Sequence, residues 1–502
     1  MSAPIDSALQ QGTDTPRRTP AVVRLLVLAT FVVILNETIM INAIPRLMVS
    51  FGVSEHAAQW VSTAFMLTMA AVIPVTGWFL QRVSTRTAYA TAMGVFLTGT
   101  ALAAVAPVFE LLLLGRVIQG AGTAVMMPLL MTTLMTVVPE YDRGRVMGNV
   151  TMAISVAPAL GPAVSGVVLQ VGSWRLLFLL VLPIAAAVTW SGLRQLENVG
   201  EPQVSDIDWL SVVIAALGFG SLVYGLSRFA EGEVGLPIAI AVAGLALVAG
   251  FALRQLRLQR TGVPLLDLRA FGQGTFTKAL VLMSIAFMAM MGSMILLPLY
   301  LQNLRSLSPL ETGLLVMPGG LAMGLLGPTV GRVFDKFGGR VLVIPGTIGM
   351  VVALAGFTQI SMSTPYWQVL ALHLVLMVCL AAMFTPVFTL GLGALPPHLY
   401  SHGSSILGTL QQVAAAFGTA LAVTVMTLRA EQVVDTAGPV GAQLSGMQAA
   451  FAVSAVLSLI VVAVALVLPG RPGEADDPDA ELAELVDEQA CEHSLDPAVC
   501  GC

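Results

Sequence analysis

The sequence predicts an all-α integral membrane protein built as two six-helix bundles with two further helices inserted between them, fourteen spans in all. Three observations point there. Of 502 residues, 57% are hydrophobic and only 10% charged, with a mean hydropathy of +0.88, a composition suited to lipid as solvent. Apolar runs of about 20 residues, the length that crosses a bilayer, recur along nearly the whole chain. A short pattern also appears twice at identical spacing.

The runs place spans at 22–44, 58–80, 87–106, 111–138, 146–170, 176–194, 207–228, 235–256, 277–301, 310–331, 340–360, 366–390, 402–428 and 447–468. An even number leaves both termini on one side, and basic residues favour the cytoplasmic side. Of the 23 Lys and Arg, only Arg46, Arg175, Arg228, Arg305 and Arg429 fall in loops opposite the termini, and Arg116 falls inside a span. Both termini are therefore expected in the cytoplasm, in a cell membrane. The first run is too long for the core of a signal peptide, and no small-residue cleavage site follows it.

The formal net charge of −5 belongs to the tail 469–502, where Glu474, Asp476, Asp477, Asp479, Glu481, Glu484, Asp487 and Glu488 stand without a base after Arg471. This reads as a solvated acidic extension rather than a short helix. Its Cys491, Cys500 and Cys502 suit a reducing compartment. Even with His493 nearby, their spacing fits no tetrahedral metal site without more ligands.

The repeated pattern is Gly77, Gln81, Arg82, Ser84 and Arg86 after span 2, and Gly331, Asp335, Lys336, Gly338 and Arg340 after span 10. Matching these loops divides the chain into a tail at 1–21, a first bundle at 22–194, two inserted helices at 207–256 and a second bundle at 277–468. The long basic connections 195–206 and 257–276 read as the boundaries. In each copy a glycine permits close backbone approach at a helix end, and bases anchor the loop. Repetition at fixed spacing favours a hinge between sliding helices over anchoring alone.

Ionisable side chains inside a bilayer are costly, about 3 kcal/mol at a span centre on insertion scales, so each is a functional candidate. Here Glu37 in span 1 and Arg116 in span 4 are clearly intramembrane, with His373 in span 12 as a weaker third. Burial among Ile, Val and Met makes the charged form of Glu37 costly, which marks it as a proton carrier; the alternative is a structural carboxyl paired with Arg116. Arg116 needs an acceptor, either Glu37 or backbone carbonyls near span 1. Gln119 lies one turn from it, and Gly120 permits close helix packing.

Span 5 carries Pro158, Gly161, Pro162, Ser165 and Gly166, which predict a kinked, closely packed helix. Met126, Met127, Met131 and Met135 offer either a soft wall for varied ligands or lipid-facing filler. Gln411 and Gln412 in span 13 are amides that need partners, interhelical or substrate. No Gly-x-x-x-x-Gly-Lys phosphate loop occurs, nor an intramembrane cluster of His and carboxylates. An enzyme, a nucleotide-driven pump, a bound cofactor or metal, and nucleic-acid binding are therefore not expected.

From residue 22 to 468 the chain resembles the major facilitator superfamily, specifically its fourteen-span drug:proton antiporters. Leu111 to Gly122, with Arg116, Gln119, Gly120 and Gly122, is similar to the span-4 motif whose Arg is implicated in proton transfer. Ala157 to Gly166 resembles the span-5 antiporter motif of exporters, with Ala157 and Ser165 replacing two glycines. Gly331 to Arg340 matches the loop motif well; Gly77 to Arg86 departs from it at Gln81 and Ser84. Span 1 resembles a family motif that carries Asp where Asn36 stands. The acid is displaced by one residue to Glu37, about 100° around a helix, as in the lincomycin-exporter branch.

The resemblance implies a proton-coupled antiporter of amphipathic drugs or antibiotics, working as a monomer by rocking of two bundles. Glu37 and Arg116 would couple protons. Asn36, Thr38, Gln119, Met127, His373 and Gln411 would face the substrate cavity. Gly161, Pro162, Gly166, Gly77, Arg82, Arg86, Gly331, Asp335, Lys336 and Arg340 would serve the conformational switch. With one intramembrane acid, neutral or monocationic substrates are expected rather than dications. The alternatives are an importer or facilitator of a small metabolite on the same fold, or a membrane receptor or scaffold.

Overall fold

The computed structural model describes residues 19–40, 43–199, 207–230, 235–261 and 264–471. Most of both predicted tails, including the acidic stretch and its three cysteines, lies outside the described residues. Among those described there are helices and turns but no strand.

The first bundle contains α1 (Ala21–Ile39), the short α2 (Ile44–Phe51), α3 (Glu55–Arg82), α4 (Thr85–Val105), α5 (Phe109–Val137), α6 (Arg143–Val171) and α7 (Arg175–Gln195). The insert is α8 (Trp209–Ala230) and α9 (Leu236–Thr261). The second bundle contains α10 (Gly274–Leu299), α11 (Pro309–Phe337), α12 (Arg340–Phe357), α13 (Tyr366–Gly393) and α14 (Tyr400–Leu466).

Local chemistry sets several boundaries. Ser54 and Ser84 cap α3 and α4 by accepting from Ala57 N and Thr87 N. Ser308 and Glu311 form a reciprocal capping box on α11, satisfying amides that a helix start leaves without partners. Span 1 ends earlier than its hydrophobicity suggests, at Ile39, and the chain restarts as α2 with Pro45 in its first turn. Proline lacks the N–H to continue a helix but fits the start of one.

The last two predicted spans form one continuous 67-residue element broken at Gly438 (φ 68°), with Pro439 next to it. Only glycine adopts that backbone readily. Gly446 packs on Met426, so the two arms of α14 run antiparallel. Among the described residues thirteen helices are long and apolar enough to span a membrane; since α14 supplies two arms, they make fourteen spans.

Both described chain ends share one face of the molecule, called here the terminal face. Asn149, near the start of α6, approaches Thr19 at 3.4 Å, and Gly339 N donates to Gly470 O at 2.6 Å, just past the end of α11.

Helix α8 packs on α9 and also on α3 and α14, one from each bundle. Trp60 of α3 lies on Tyr224 of α8, with ring centroids 5.7 Å apart. Small residues bring α8 and α9 together, Gly225 against Ala241 and Gly244 against Leu222. The outer side of α9 exposes Leu236, Val242, Leu245 and Leu253, as a lipid-facing surface should. At the terminal face Asp208 accepts from Arg254 at 2.8 and 2.9 Å. Gln255 bonds Ser211 at 2.8 Å and accepts from Leu265 N at 2.8 Å, tying the insert to the linker that leads into α10.

Candidate functional site

Two constellations stand out: a buried charge site in the first bundle and a seam where the two bundles meet.

Arg116 on α5 is almost fully buried, 1% exposed. Its Nε donates to Val61 O of α3 at 3.0 Å, and its Nη1 donates to Gln119 Oε1 at 3.0 Å. Gln119 Nε2 in turn donates to Thr100 Oγ1 of α4 at 2.8 Å. The Phe65 ring lies 4.2 Å below the guanidinium, a cation–π contact that gains strength away from water. Glycines allow these helices to close in. A Cβ on Gly120 would sit 2.8 Å from Phe65 O, one on Gly122 2.5 Å from Ala92 O, and one on Gly99 2.6 Å from Gln119 N.

The carbonyl acceptor of Arg116 thus comes from span 2 rather than span 1. Glu37 makes no ion pair with Arg116 within 4 Å, although the two interact electrostatically. Glu37 is largely but not completely buried as a residue, and its carboxyl has no hydrogen-bond partner among the described residues. It is therefore a charge held near, but not locked to, a buried guanidinium. Gln119, expected on a cavity wall, is fully buried and committed to Arg116 and Thr100 instead. The displacement of the acid around α1 has a visible consequence: Asn36 points into the packed interior, fully buried with neither amide atom partnered, while Glu37 keeps some exposure.

Thr38 bonds its own helix at Leu35 O (3.1 Å) and fills the space left by the missing side chain of Gly161 on α6. Gly166 has nothing within 4 Å of where a Cβ would be, so close packing does not require it in this conformation. The side chain of Pro162 lies outside the described set. Met127 and Gln411 are half-buried, and Gln411 Nε2 has no partner. His373 of α13 is buried against Val316 and Gly319 of α11, within the second bundle.

The seam joins α6 to α11 and α3 to α14. Along the first pair, Gly144 packs on Gly331, Gly148 on Gly327, Val156 on Gly324 and Ala159 on Gly320, backbone nearly against backbone. Asp335 closes the end: Oδ1 accepts from Gly144 N at 2.8 Å and Oδ2 from Arg145 N at 2.7 Å. One bundle therefore caps the first turn of a helix in the other, where exposed amides and the helix dipole favour an anion. Thr385 Oγ1 and Thr151 Oγ1 meet 2.9 Å apart across the same divide.

Along the second pair, Gly77 faces His402, Thr76 Oγ1 and Ser405 Oγ lie 2.8 Å apart, and Gln81 Nε2 donates to His398 O at 2.9 Å. The two copies of the repeat therefore occupy equivalent places. Gly77 and Gly331 are both points of close approach, and Gln81 and Asp335, at matching positions, both hydrogen-bond across the seam. The copies differ in chemistry, a neutral amide donating in one and a carboxylate accepting in the other. Arg82 lies over Trp78 and Lys336 over Phe337, Arg340 Nε donates to Leu468 O, and the backbone N of Arg86 donates to Asn198 Oδ1. These cross-bundle contacts begin at the terminal face, and among the described residues α1 and α10 make no extended contact.

The pattern of the Major Facilitator Superfamily matches residues 26–419. The chain belongs to that superfamily. It is 37% identical over 461 residues to the lincomycin resistance protein LmrB of Listeria monocytogenes serovar 1/2a, covering 90% of this chain and 97% of the relative. It is equally similar, 37% over 466 residues, to the MFS-type transporter YcnB of Bacillus subtilis, with 91% and 97% covered. Among solved structures, the human organic anion transporter MFSD10 superposes with a TM-score of 0.65 at 17% identity, covering 89% of this chain and all of that one, a likeness of fold. The chain is a multi-pass membrane transporter of small molecules, not an enzyme, and fits the lincomycin and multidrug exporter branch.

Proposed function

We propose that this transporter exports amphipathic drugs or antibiotics across the cell membrane in exchange for protons, as a monomer with both termini in the cytoplasm. One observation carries the reading: Glu37, largely but not completely buried, interacts by charge with the buried Arg116 and makes no hydrogen bond to any described residue. Such a carboxyl changes its interaction with Arg116 when it gains or loses a proton, and a group bonded on all sides would not.

With the terminal-face seam closed, Glu37 takes its proton from the opposite side as substrate leaves. Neutralising it removes a charge that holds α1 towards α5, and the halves rock about the seam. The excess of Arg and Lys on the terminal face supports the cytoplasmic placement, and the resistance proteins among the relatives support the substrate class.

In proteoliposomes with an imposed pH gradient, wild-type protein should move lincomycin or a cationic dye against the gradient. Glu37→Gln, reconstituted to the same level, should not. Gradient-driven transport by Glu37→Gln at the wild-type rate sinks the assignment. Transport down the substrate's own gradient without response to pH would favour a facilitator.

A further inference from the structure

His402 lies in the first turn of α14, 4% exposed, with no hydrogen-bond partner for Nδ1. That nitrogen is aimed across the seam at Gly77 of α3, where a Cβ would lie 3.0 Å from Nδ1 and 3.2 Å from Ser405 Oγ. The Thr76–Ser405 contact seals the next layer. The imidazole is thus enclosed by the opposite bundle only while the seam is shut.

The groups that act on it electrostatically are Asp267 and Arg269, in the linker between α9 and α10, and His398 in the preceding turn. Asp267 is already bonded to Arg269 and Gln259. From α3 the ring meets Gly77, and the nearest base of that helix, Arg82, is drawn over Trp78 at 5.4 Å. α5 reaches this layer through Thr132, which contacts Ser404, and α10 through Phe276, beside Gly403. None of these supplies an acceptor to Nδ1, so a second N–H on the ring would be buried and unpaired, a costly state for a cation. Parting of α3 and α14 would give that N–H water.

We propose that His402 is a second proton-binding site, separate from Glu37 and built into the seam: the ring is neutral while the seam is closed and takes a proton from water on the terminal face once it opens. The Nδ1 lone pair accepts the proton and no other bond changes. Because protonation is possible only in the open form, it holds the seam open. On the exporter reading, an acid cytoplasm would then stall the protein facing inward and limit further proton entry. The seam proposal itself depends on neither the substrate nor Glu37.

The test uses full-length protein with its four native cysteines replaced by serine, carrying spin labels at Thr87 of α4 and Arg332 of α11, both exposed and one on each bundle. It is run in the Glu37→Gln background, and electron–electron distance distributions report the closed and open populations. A histidine free in water titrates near about 6.5, so binding restricted to the open form lowers the closed-to-open ratio about tenfold between pH 7.5 and 5.5.

His402→Asn should abolish this response, and His402→Gln serves if the asparagine variant is lost from the membrane. His402→Lys should favour the open form at both pH values. An unchanged pH response in the asparagine or glutamine variant, or no response with His402 present, overturns the proposal.

Discussion

Asp335→Asn tests how the seam is held. In the closed form each carboxylate oxygen accepts a backbone N–H at the start of α6, at 2.8 and 2.7 Å. Asparagine keeps a single acceptor oxygen, turns an NH2 towards the other amide and loses the charge that suits a helix N-terminus. Loss of a cap costs about 1 kcal/mol, and a hydrogen bond to a charged group is worth about 1.5 to 3 kcal/mol. Asp335 is only half-buried, so a net cost of about 1 to 2 kcal/mol is reasonable. At about 1.4 kcal/mol per tenfold, the closed-to-open ratio should fall about five- to thirtyfold. The spin-label pair on Thr87 and Arg332 measures this ratio directly. A ratio within twofold of the wild type would mean that the cap contributes nothing to the balance between the two forms.

Other substitutions follow from the same contacts. Gly327→Leu should keep the seam from closing, because a Cβ there would lie 2.5 Å from Gly148 O; transport should fall at least tenfold at normal membrane levels, whereas Gly166→Ala, with nothing nearby, should be tolerated. Arg116→Lys loses the fork that serves Val61 O and Gln119 Oε1 together, so coupled transport should drop sharply when assayed in vesicles. Hydrogen bonds from Arg254 hold Asp208 down at about 2. Its folded-state value is depressed, so its contribution is complete above the ordinary carboxylate range and is lost only as pH falls towards 2. Asp208→Asn should therefore destabilise the purified protein at neutral pH, by no more than about 1 kcal/mol after solvent screening, with no further pH dependence from this site between 5 and 8 in thermal melts.

Much of the fold was legible because lipid imposes length and polarity on every span. Apolar runs located the helices, and the repeat located equivalent loops. The end of α1 and the continuity of α14 were not legible, since hydrophobicity does not register where Pro45 restarts a helix or where Gly438 turns one back. At the site, Arg116 and Gln119 were identified from type and spacing, but their partners Val61, Thr100 and Phe65 belong to other spans and carry no local signal. The glycines at 144, 148, 320, 324 and 327 were missed as seam residues. Their spacing of three or four does place them on one face of each helix, but such a face suits a neighbour in the same bundle as well as one across the seam. His402 was missed because it sits where a span meets its loop, and there a histidine looks solvated in sequence.

On this reading, substrate leaves in exchange for protons through Glu37. Everted membrane vesicles, acidified inside by respiration and loaded with a pH-sensitive dye, report that exchange. Adding lincomycin should release luminal protons from vesicles carrying the wild-type protein and from none carrying Glu37→Gln. Equal proton release from both, or substrate accumulation with no proton movement in the wild type, would rule out exchange through Glu37.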